Sequence, residues 1–319
     1  MNKENHFVDN VIRAVKKKSL RDNQIFSIRI SIRSVMNSTI IPRIVKFFNK
    51  YMYKIGLGAS MNRYDNSLTF YSSFKDKKLY KNYSINDAFC NFGSGAFNHC
   101  RWTNFDFPGA TKYYKAIQGI EGSDFQSIDL CIDNLRLPLN NESVNLIYCS
   151  HTLEHLEEDK AIHFLSECLR ILKSEGVMRI VVPSTDKDFV HAKITNQNIN
   201  LNQQVKTSAI LSAANHVLDV KNIDEVEIIK DVIDSEFSPK KFYKKSIERG
   251  ANNKFDSKAP ERHITYWDQE KFYTIAKELG FANYLPLYRG STVADPFRNL
   301  EVFDNTETQH SLYGEFIKL

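Results

Sequence analysis

The 319-residue chain lacks several features that would place it in well-defined protein classes. No run of about 18 apolar residues is present, which argues against a membrane-spanning helix. The first residues, MNKENH, lack the apolar core of a secretory signal. The five cysteines include no C-x-x-C pair, so we interpret them as small buried residues in a reducing compartment. We therefore expect a cytoplasmic protein of ordinary globular composition.

Acidic residues are scarce near the start of the chain. Residues 1–60 contain 12 Lys or Arg against 3 acidic residues, whereas residues 61–319 contain 31 against 35. Apolar clusters at 7–15 and 40–53 lie among these positive charges, which predicts helices that either pack on the main domain or contact a membrane surface or anionic glycolipid. Nucleic acid is not indicated, because no motif of stacking aromatic residues accompanies the charge.

Apolar segments and helical stripes alternate in the middle of the chain, which predicts an α/β protein with an open parallel sheet. The chain divides into four predicted regions. Residues 1–80 form a basic, partly helical extension, and residues 81–185 form a cofactor-binding core. Residues 186–260 form a helical insertion, with helical patches at 208–217 and 226–233, and residues 261–319 form the C-terminal part of the main domain. Strands are predicted at 88–92, 102–107, 125–132, 144–149, 177–182, 284–288 and 311–317, and helices at 160–173, before the helix-stopping Gly176, and at 268–279.

A glycine turn follows the first predicted strand. Gly93-Ser94-Gly95 would let the backbone approach a ligand closely, although a tight structural turn would use the same residues. The third glycine of the dinucleotide-binding pattern is absent. Asp106 ends the next predicted strand only 13 residues after Gly93, against about 20 in that pattern. The intervening helix must therefore be very short or missing.

Two candidate carboxylates, Asp129 and Asp133, lie near the end of the third predicted strand. Either could accept a hydrogen bond from an adenine amino group, with Leu135 packing on the ring. The spacing does not distinguish between them, and Asp133 with Asn134 could equally start a turn.

The most specific string is Ser150-His151-Thr152-Leu153-Glu154-His155. A zincin-type zinc site needs glutamate directly after the first histidine, where this chain has Thr152, so we expect no catalytic metal. His151 ends a strand at the sheet edge where open α/β folds bind ligands. Helix capping and local hydrogen bonding are the structural alternative.

Together these strings, with Leu-Pro-Leu at 137–139 and Arg-Ile-Val-Val-Pro at 179–183, resemble the class I S-adenosylmethionine-dependent methyltransferases over about residues 85–185. Within this superfamily the chain is most similar to the type 11-like branch, which is often found among enzymes that methylate polysaccharides and secondary metabolites. The resemblance implies a Rossmann-like, doubly wound, seven-stranded sheet with its last strand antiparallel. It also implies S-adenosylmethionine as the cofactor.

The same resemblance implies roles for individual residues. The turn at Gly93, Ser94 and Gly95 would face the methionine part of the cofactor, and Asp106 the ribose. Asp129 or Asp133 would bind adenine with Leu135. Ser150 and His151 would face the cofactor.

The implied reaction is methyl transfer to a small molecule or a saccharide, such as a polysaccharide or glycolipid precursor. His151 is the first candidate base for an alcohol acceptor, followed by His155 and His263. The basic arm suggests an enzyme that is peripheral to the inner face of the membrane. A nicotinamide-dependent oxidoreductase and a non-catalytic Rossmann-like scaffold remain alternatives.

Overall fold

The computed structural model describes residues 27–31, 40–62, 67–109, 125–220, 223–234 and 238–319. Across these ranges no helix is both long and apolar enough to cross a membrane. The helix predicted at 7–15 lies outside the described residues.

The N-terminal layer contains strands as well as helices. Its elements are β1 (Ser27–Ser31), α1 (Ile40–Phe47), β2 (Leu57–Asn62), β3 (Ser67–Ser72) and α2 (Ser73–Leu79). The three strands form an antiparallel sheet in the order β1-β3-β2. Between α1 and β2 the chain forms a π-helical turn at Phe48–Met52 and a 3-10 turn at Tyr53–Ile55. The second apolar cluster is thus helical, as predicted, whereas the strands were not predicted.

The main domain is built on a seven-stranded sheet. Its strands are β4 (Ala88–Phe92), β5 (Thr103–Asp106), β6 (Phe125–Ser127), β7 (Val144–Ser150), β8 (Leu172–Pro183), β9 (Asn283–Leu287) and β10 (Ser311–Ile317). Their order is β6-β5-β4-β7-β8-β10-β9. Pairs within β6-β5-β4-β7-β8 are parallel, and β10 is antiparallel to both β8 and β9. The predicted Rossmann-like sheet with an antiparallel last strand is confirmed.

Two predicted boundaries are wrong. The third strand ends at Ser127 and not at 132, because the chain turns at Asp129, whose carboxylate accepts a hydrogen bond from the Cys131 N–H at 2.8 Å. Helix α3 (Glu158–Ile171) ends before Leu172, where β8 begins, so Gly176 lies within β8 and does not stop the helix.

Four helices form the insertion: α4 (Thr185–Gln197), α5 (Gln203–Val217), α6 (Glu225–Ile233) and α7 (Pro239–Glu248). They share a core that includes Phe189, Ile210 and Phe242. The predicted helical patches lie within α5 and α6. Helix α4 was missed because its buried side includes the polar Asp188 and Thr195, which interrupt the apolar stripe.

The two faces of the large sheet are covered differently. On one face α3 and α8 (Gln269–Leu279) pack over β-strand residues such as Ile147 and Ile180. On the other face the N-terminal layer and residues 293–303 cover the sheet, with Tyr80 and Trp102 in the shared core.

No helix lies between β4 and β5, a segment that the structure describes completely. The N-terminal layer packs there instead. The Trp102 indole N–H donates to the Tyr80 hydroxyl at 2.7 Å, and His99 Nε2 lies 3.0 Å from Asp76 Oδ2. The expectation of a very short or missing helix is confirmed.

Candidate functional site

A pocket opens at the carboxyl ends of β4, β5 and β7. Six predicted site residues line it: Gly93, Gly95, Asp106, Asp129, His151 and His155. The segment after α7 closes one side with Phe255, Pro260 and Glu261. This is the edge at which open α/β sheets bind their ligands, so the fold itself gathers these side chains.

The glycine turn approaches the loop after β7 more closely than a side chain would permit. Gly93 and Gly95 have positive φ values of 66° and 53°. A Cβ at Gly93 would lie 1.9 Å from Thr152 Oγ1. Ser94 is buried, and no hydrogen-bond partner for its Oγ lies among the described residues. The turn therefore presents main chain, and not side chains, to the pocket.

Asp106 is held firmly at the end of β5. Its Oδ2 accepts from the Gly95 N–H at 2.6 Å and its Oδ1 from the Phe107 N–H at 2.8 Å. A carboxylate oxygen can accept more than one hydrogen bond. Asp106 is thus oriented by the turn at the edge of the pocket.

The two candidate carboxylates, Asp129 and Asp133, have different surroundings in the structure. Asp129 lines the pocket together with Ile128 and Leu130. The Asp133 side chain is 84% exposed and pairs with Lys160, away from the pocket. Leu135 is buried in the core that underlies α3. Asp133 and Leu135 therefore do not line the pocket, because the chain leaves it after Cys131.

His151 lies just beyond β7 in a left-handed backbone conformation, with φ at 51°. Its Nε2 lies 3.0 Å from Ser311 Oγ on β10, and its Nδ1 lies 3.2 Å from Glu154 Oε1. The preceding Ser150 has a buried Oγ without a partner among the described residues. A non-glycine residue at positive φ is uncommon. Here the contacts of both ring nitrogens, with Ser311 and Glu154, hold His151 in this conformation.

Glu154 is the centre of the histidine group. It lies in the 3-10 turn Leu153–His155 and is only 1% exposed. Its backbone oxygen accepts from the N–H groups of Ile264 and Thr265 at 2.8 and 3.3 Å. This clamp brings His263, from beyond the insertion, to a ring-centroid distance of 5.0 Å from His155.

The group has perturbed pKa values. Burial raises the pKa of Glu154, but the neighbouring His151, His155 and His263 outweigh it and lower that pKa to about 2. Burial lowers the pKa of His263 to about 4, and the opposing effect of Glu154 is smaller. An anionic glutamate beside a neutral His263 is the expected state near neutral pH.

All three predicted histidines therefore lie close to one another around Glu154. The sequence pattern assigned no role to this glutamate. A second group continues from it into the insertion, where Asp188 accepts from His216 and His310, each at 2.7 Å. Phe255 and Pro260 also line the pocket and carried no sequence signal.

Comparison with known proteins gives one family match. Residues 108–180 match the model of the methyltransferase domain family. No curated protein matches the chain.

Solved structures with low sequence identity to the chain were also found. A SAM dependent methyltransferase from Archaeoglobus fulgidus is 12% identical, with a TM-score of 0.37, over 77% of this chain and 93% of that one. Another from Aquifex aeolicus is 8% identical, with a TM-score of 0.34, over 87% and 98%. The CurJ carbon methyltransferase is 10% identical, with a TM-score of 0.36, over 76% of this chain and 51% of that one.

The pocket suits a nucleoside joined to an amino acid: it offers a main-chain turn at Gly93, carboxylates at Asp106 and Asp129, and apolar contacts from Ile128 and Leu130. The family match covers the chain from just after β5 into β8, and the sheet around it has the seven strands and the antiparallel last strand that the resemblance implies. Residues 108–180, within this sheet, are therefore similar to a methyltransferase domain.

Proposed function

We propose that the enzyme methylates a hydroxyl oxygen of a small-molecule or saccharide acceptor. The observation that carries the proposal is that His151 and His155 line the same pocket as Asp106 and Asp129. Candidate proton acceptors thus lie beside the carboxylates that suit a nucleoside. A hydroxyl acceptor needs such a base, whereas an amine that is already neutral does not.

The cofactor-binding roles are assigned from the pocket. Asp106 would accept hydrogen bonds from the two ribose hydroxyls. Asp129 would accept from the adenine amino group, while Ile128 and Leu130 contact the ring. The N–H groups and close approach of the Gly93–Gly95 turn would hold the methionine part.

The sulfonium of the cofactor supplies an already activated methyl group. The protein has to align the acceptor oxygen, exclude water and accept a proton. His155 Nδ1 lies 3.0 Å from the Arg262 carbonyl oxygen, so the neutral ring keeps its basic nitrogen at Nε2. His151 remains the first candidate base and His155 the second, while burial lowers the pKa of His263 to about 4, which makes it a weak base near neutral pH.

Calorimetric titration with S-adenosylmethionine tests the cofactor site. We expect Asp106→Asn and Asp129→Asn to weaken binding at least tenfold, because each removes a charged acceptor worth about 1.5 to 3 kcal/mol. Asp133→Asn is the matched control, since Asp133 is exposed in the same loop. Equal losses in Asp129→Asn and Asp133→Asn would contradict the assignment, and a wild-type protein that binds nothing at millimolar concentration would refute the function.

The acceptor atom is tested with methyl-labelled cofactor and a panel of neutral and acidic saccharides. We expect labelled methyl ethers. If the labelled methyl group were found on carbon or nitrogen, the proposed oxygen acceptor would be wrong, whereas the proposed cofactor site would be unaffected.

We further propose that the N-terminal layer contacts an anionic membrane surface that carries the acceptor. Four of its apolar side chains are at least half exposed: Phe47, Tyr51, Ile55 and Phe74. Phe47 and Tyr51 are in ring contact at 5.2 Å, and Lys50, Lys54 and Lys77 lie among the four. Apolar side chains surrounded by lysines are typical of helices that bind anionic lipid surfaces.

Co-sedimentation of the full chain with vesicles tests this contact. We expect binding to phosphatidylglycerol-containing vesicles, weakened by salt, and little binding to phosphatidylcholine alone. Replacing Phe47 and Tyr51 by Ser should reduce binding about tenfold, since each loses part of the ~1.5 to 3 kcal/mol of apolar transfer energy. Tyr273→Ser, at an exposed tyrosine of α8, is the control. Equal binding to both vesicle types would refute the proposal.

A further inference from the structure

Glu154 is a buried carboxylate whose surroundings do not offer the donors that such a group requires. Both of its oxygens are buried, and no hydrogen bond of good geometry reaches either one from the described residues. Its Oε1 lies 3.2 Å from His151 Nδ1 and 3.9 Å from His155 Nε2. A buried charge without compensation costs several kcal/mol, so a cation is expected at this position.

The tautomers of the two flanking histidines direct lone pairs at the carboxylate. A carbonyl oxygen can only accept, so the bond to the Arg262 carbonyl places the His155 proton on Nδ1 and leaves Nε2, which faces Glu154, unprotonated in the neutral ring.

The same reasoning applies to His151. The Ser311 hydroxyl donates to the Glu307 carbonyl at 2.9 Å and so accepts from His151 Nε2. The neutral His151 ring then turns its lone pair at Nδ1 toward Glu154. Two lone pairs and an anionic oxygen converge, which is a repulsive arrangement unless a proton or a metal cation lies between them.

His263 adds a third nitrogen. Its Nδ1 is buried and has no hydrogen-bond partner among the described residues. One ligand atom each from Glu154, His155 and His263 lie within 4.8 Å of one another. Ligands of one ion at about 2.1 Å lie about 3.4 Å apart in a tetrahedron, so only a modest contraction is needed.

We propose that Glu154, His155 and His263 bind one divalent transition-metal ion, with His151 positioned to supply a fourth ligand. Two or three imidazoles with one carboxylate suit zinc or manganese, whereas magnesium prefers oxygen ligands and keeps its waters. The Arg262 carbonyl already orients His155, as the partners of metal-bound histidines usually do.

The position of this site gives the ion a role, which rests on the function proposed above. His155 belongs both to the metal site and to the cofactor pocket. An open coordination position on the pocket side would bind the acceptor hydroxyl and lower its pKa, so that the proton leaves more readily. In that case His155 and His263 are ligands and the lone pair of His151 faces the ion, so the acceptor proton passes to solvent.

Metal binding by the full chain, measured without cofactor, tests the proposal. After treatment with chelator, the protein is titrated separately with Zn²⁺, Mn²⁺, Co²⁺ and Mg²⁺. We expect one Zn²⁺ or Mn²⁺ per chain, no comparable binding of Mg²⁺, and visible Co²⁺ absorption of a nitrogen-ligated site. Glu154→Gln and His263→Ala should each weaken binding at least 100-fold.

His191→Ala is the matched control, because His191 is exposed on α4 and does not contact Glu154. His155→Ala provides a second ligand variant if Glu154→Gln does not fold. Binding that is equal in wild type and all ligand variants, or wild-type binding weaker than about millimolar, would overturn the metal site. S-adenosylmethionine binding in that metal-free protein would show that the proposed function survives.

Discussion

Gly93 meets two separate constraints, and a single substitution can test both. Its φ is positive, and an added Cβ would strike Thr152 Oγ1. We expect Gly93→Ala to lose more than about 2 kcal/mol of unfolding free energy, because steric overlap adds to the ~1 to 2 kcal/mol of a left-handed backbone. Cofactor affinity should fall as well, since the turn must shift. Urea denaturation and calorimetry measure the two effects.

Gly250→Ala is the control for that prediction. Gly250 also has a positive φ, 90°, but nothing lies within 4 Å of the position that its Cβ would occupy. It should therefore cost only the backbone contribution and leave cofactor binding unchanged. Equal losses for the two variants would show that the contact with Thr152 is unimportant.

For single residues, the sequence predicted which residue types form the pocket better than it predicted where each side chain lies. The glycine turn, Asp106 and His151 lie at or just after strand ends, and a parallel sheet brings strand ends together. Asp129 and Asp133 were indistinguishable because the turn that separates them depends on the Asp129 side chain itself. Glu154 and His263 meet through main-chain bonds between residues about 110 positions apart, which local patterns do not encode.

Among the elements, the N-terminal layer is part of the fold because it covers a sheet face that lacks a helix between β4 and β5. Buried Asp76 on α2 links the layers: it contacts His99, accepts from Asn299 Nδ2 at 2.7 Å and pairs with the Tyr53 hydroxyl. Burial raises the pKa of Asp76, but His99 and these hydrogen bonds outweigh it and hold the pKa below its ordinary value of 3.8.

We expect Asp76→Asn to lose about 2 to 4 kcal/mol of unfolding free energy at neutral pH. Since the folded pKa is lowered, the carboxylate stabilises the fold fully above pH 3.8, and this contribution is lost as pH falls through the folded pKa. The difference between wild type and variant should therefore shrink below pH 3.8. Denaturation at several pH values measures it. The exposed Asp133→Asn should change little, and a pH-independent difference for Asp76→Asn would contradict the prediction.

Elements with continuous apolar runs were predicted within a residue or two, as β4, β7 and β10 show. Elements whose burial arises only in the tertiary structure were not. Strand β2, Leu57–Asn62, contains Gly58, Ser60 and Asn62 and has no strand pattern of its own. Arg179 lies in a predicted apolar strand yet is fully buried, because Asp304 and Glu315, more than a hundred residues later, surround it with acceptors.

For the whole molecule, the pocket joins the sheet edge to the end of the insertion. The segment that carries Phe255 and Pro260 is anchored at both sides: the Phe255 N–H donates to Glu157 at 3.2 Å, and Arg262 Nε donates to Asp219 at 2.8 Å. Phe255 is 38% exposed. A bound nucleoside would cover part of that ring, so cofactor binding should tighten the insertion against the core.

Hydrogen exchange with and without S-adenosylhomocysteine, the demethylated product, measures this tightening. We expect slower exchange at 93–97, 129–131 and 253–262, and no change in β2 and α2, which lie away from the pocket. At a ligand concentration of 100 Kd the fold should gain about 2.7 kcal/mol, seen as a higher Tm. Protection confined to the core segments would show that the insertion does not close over the cofactor, and the acceptor would then reach the methyl group from an open edge.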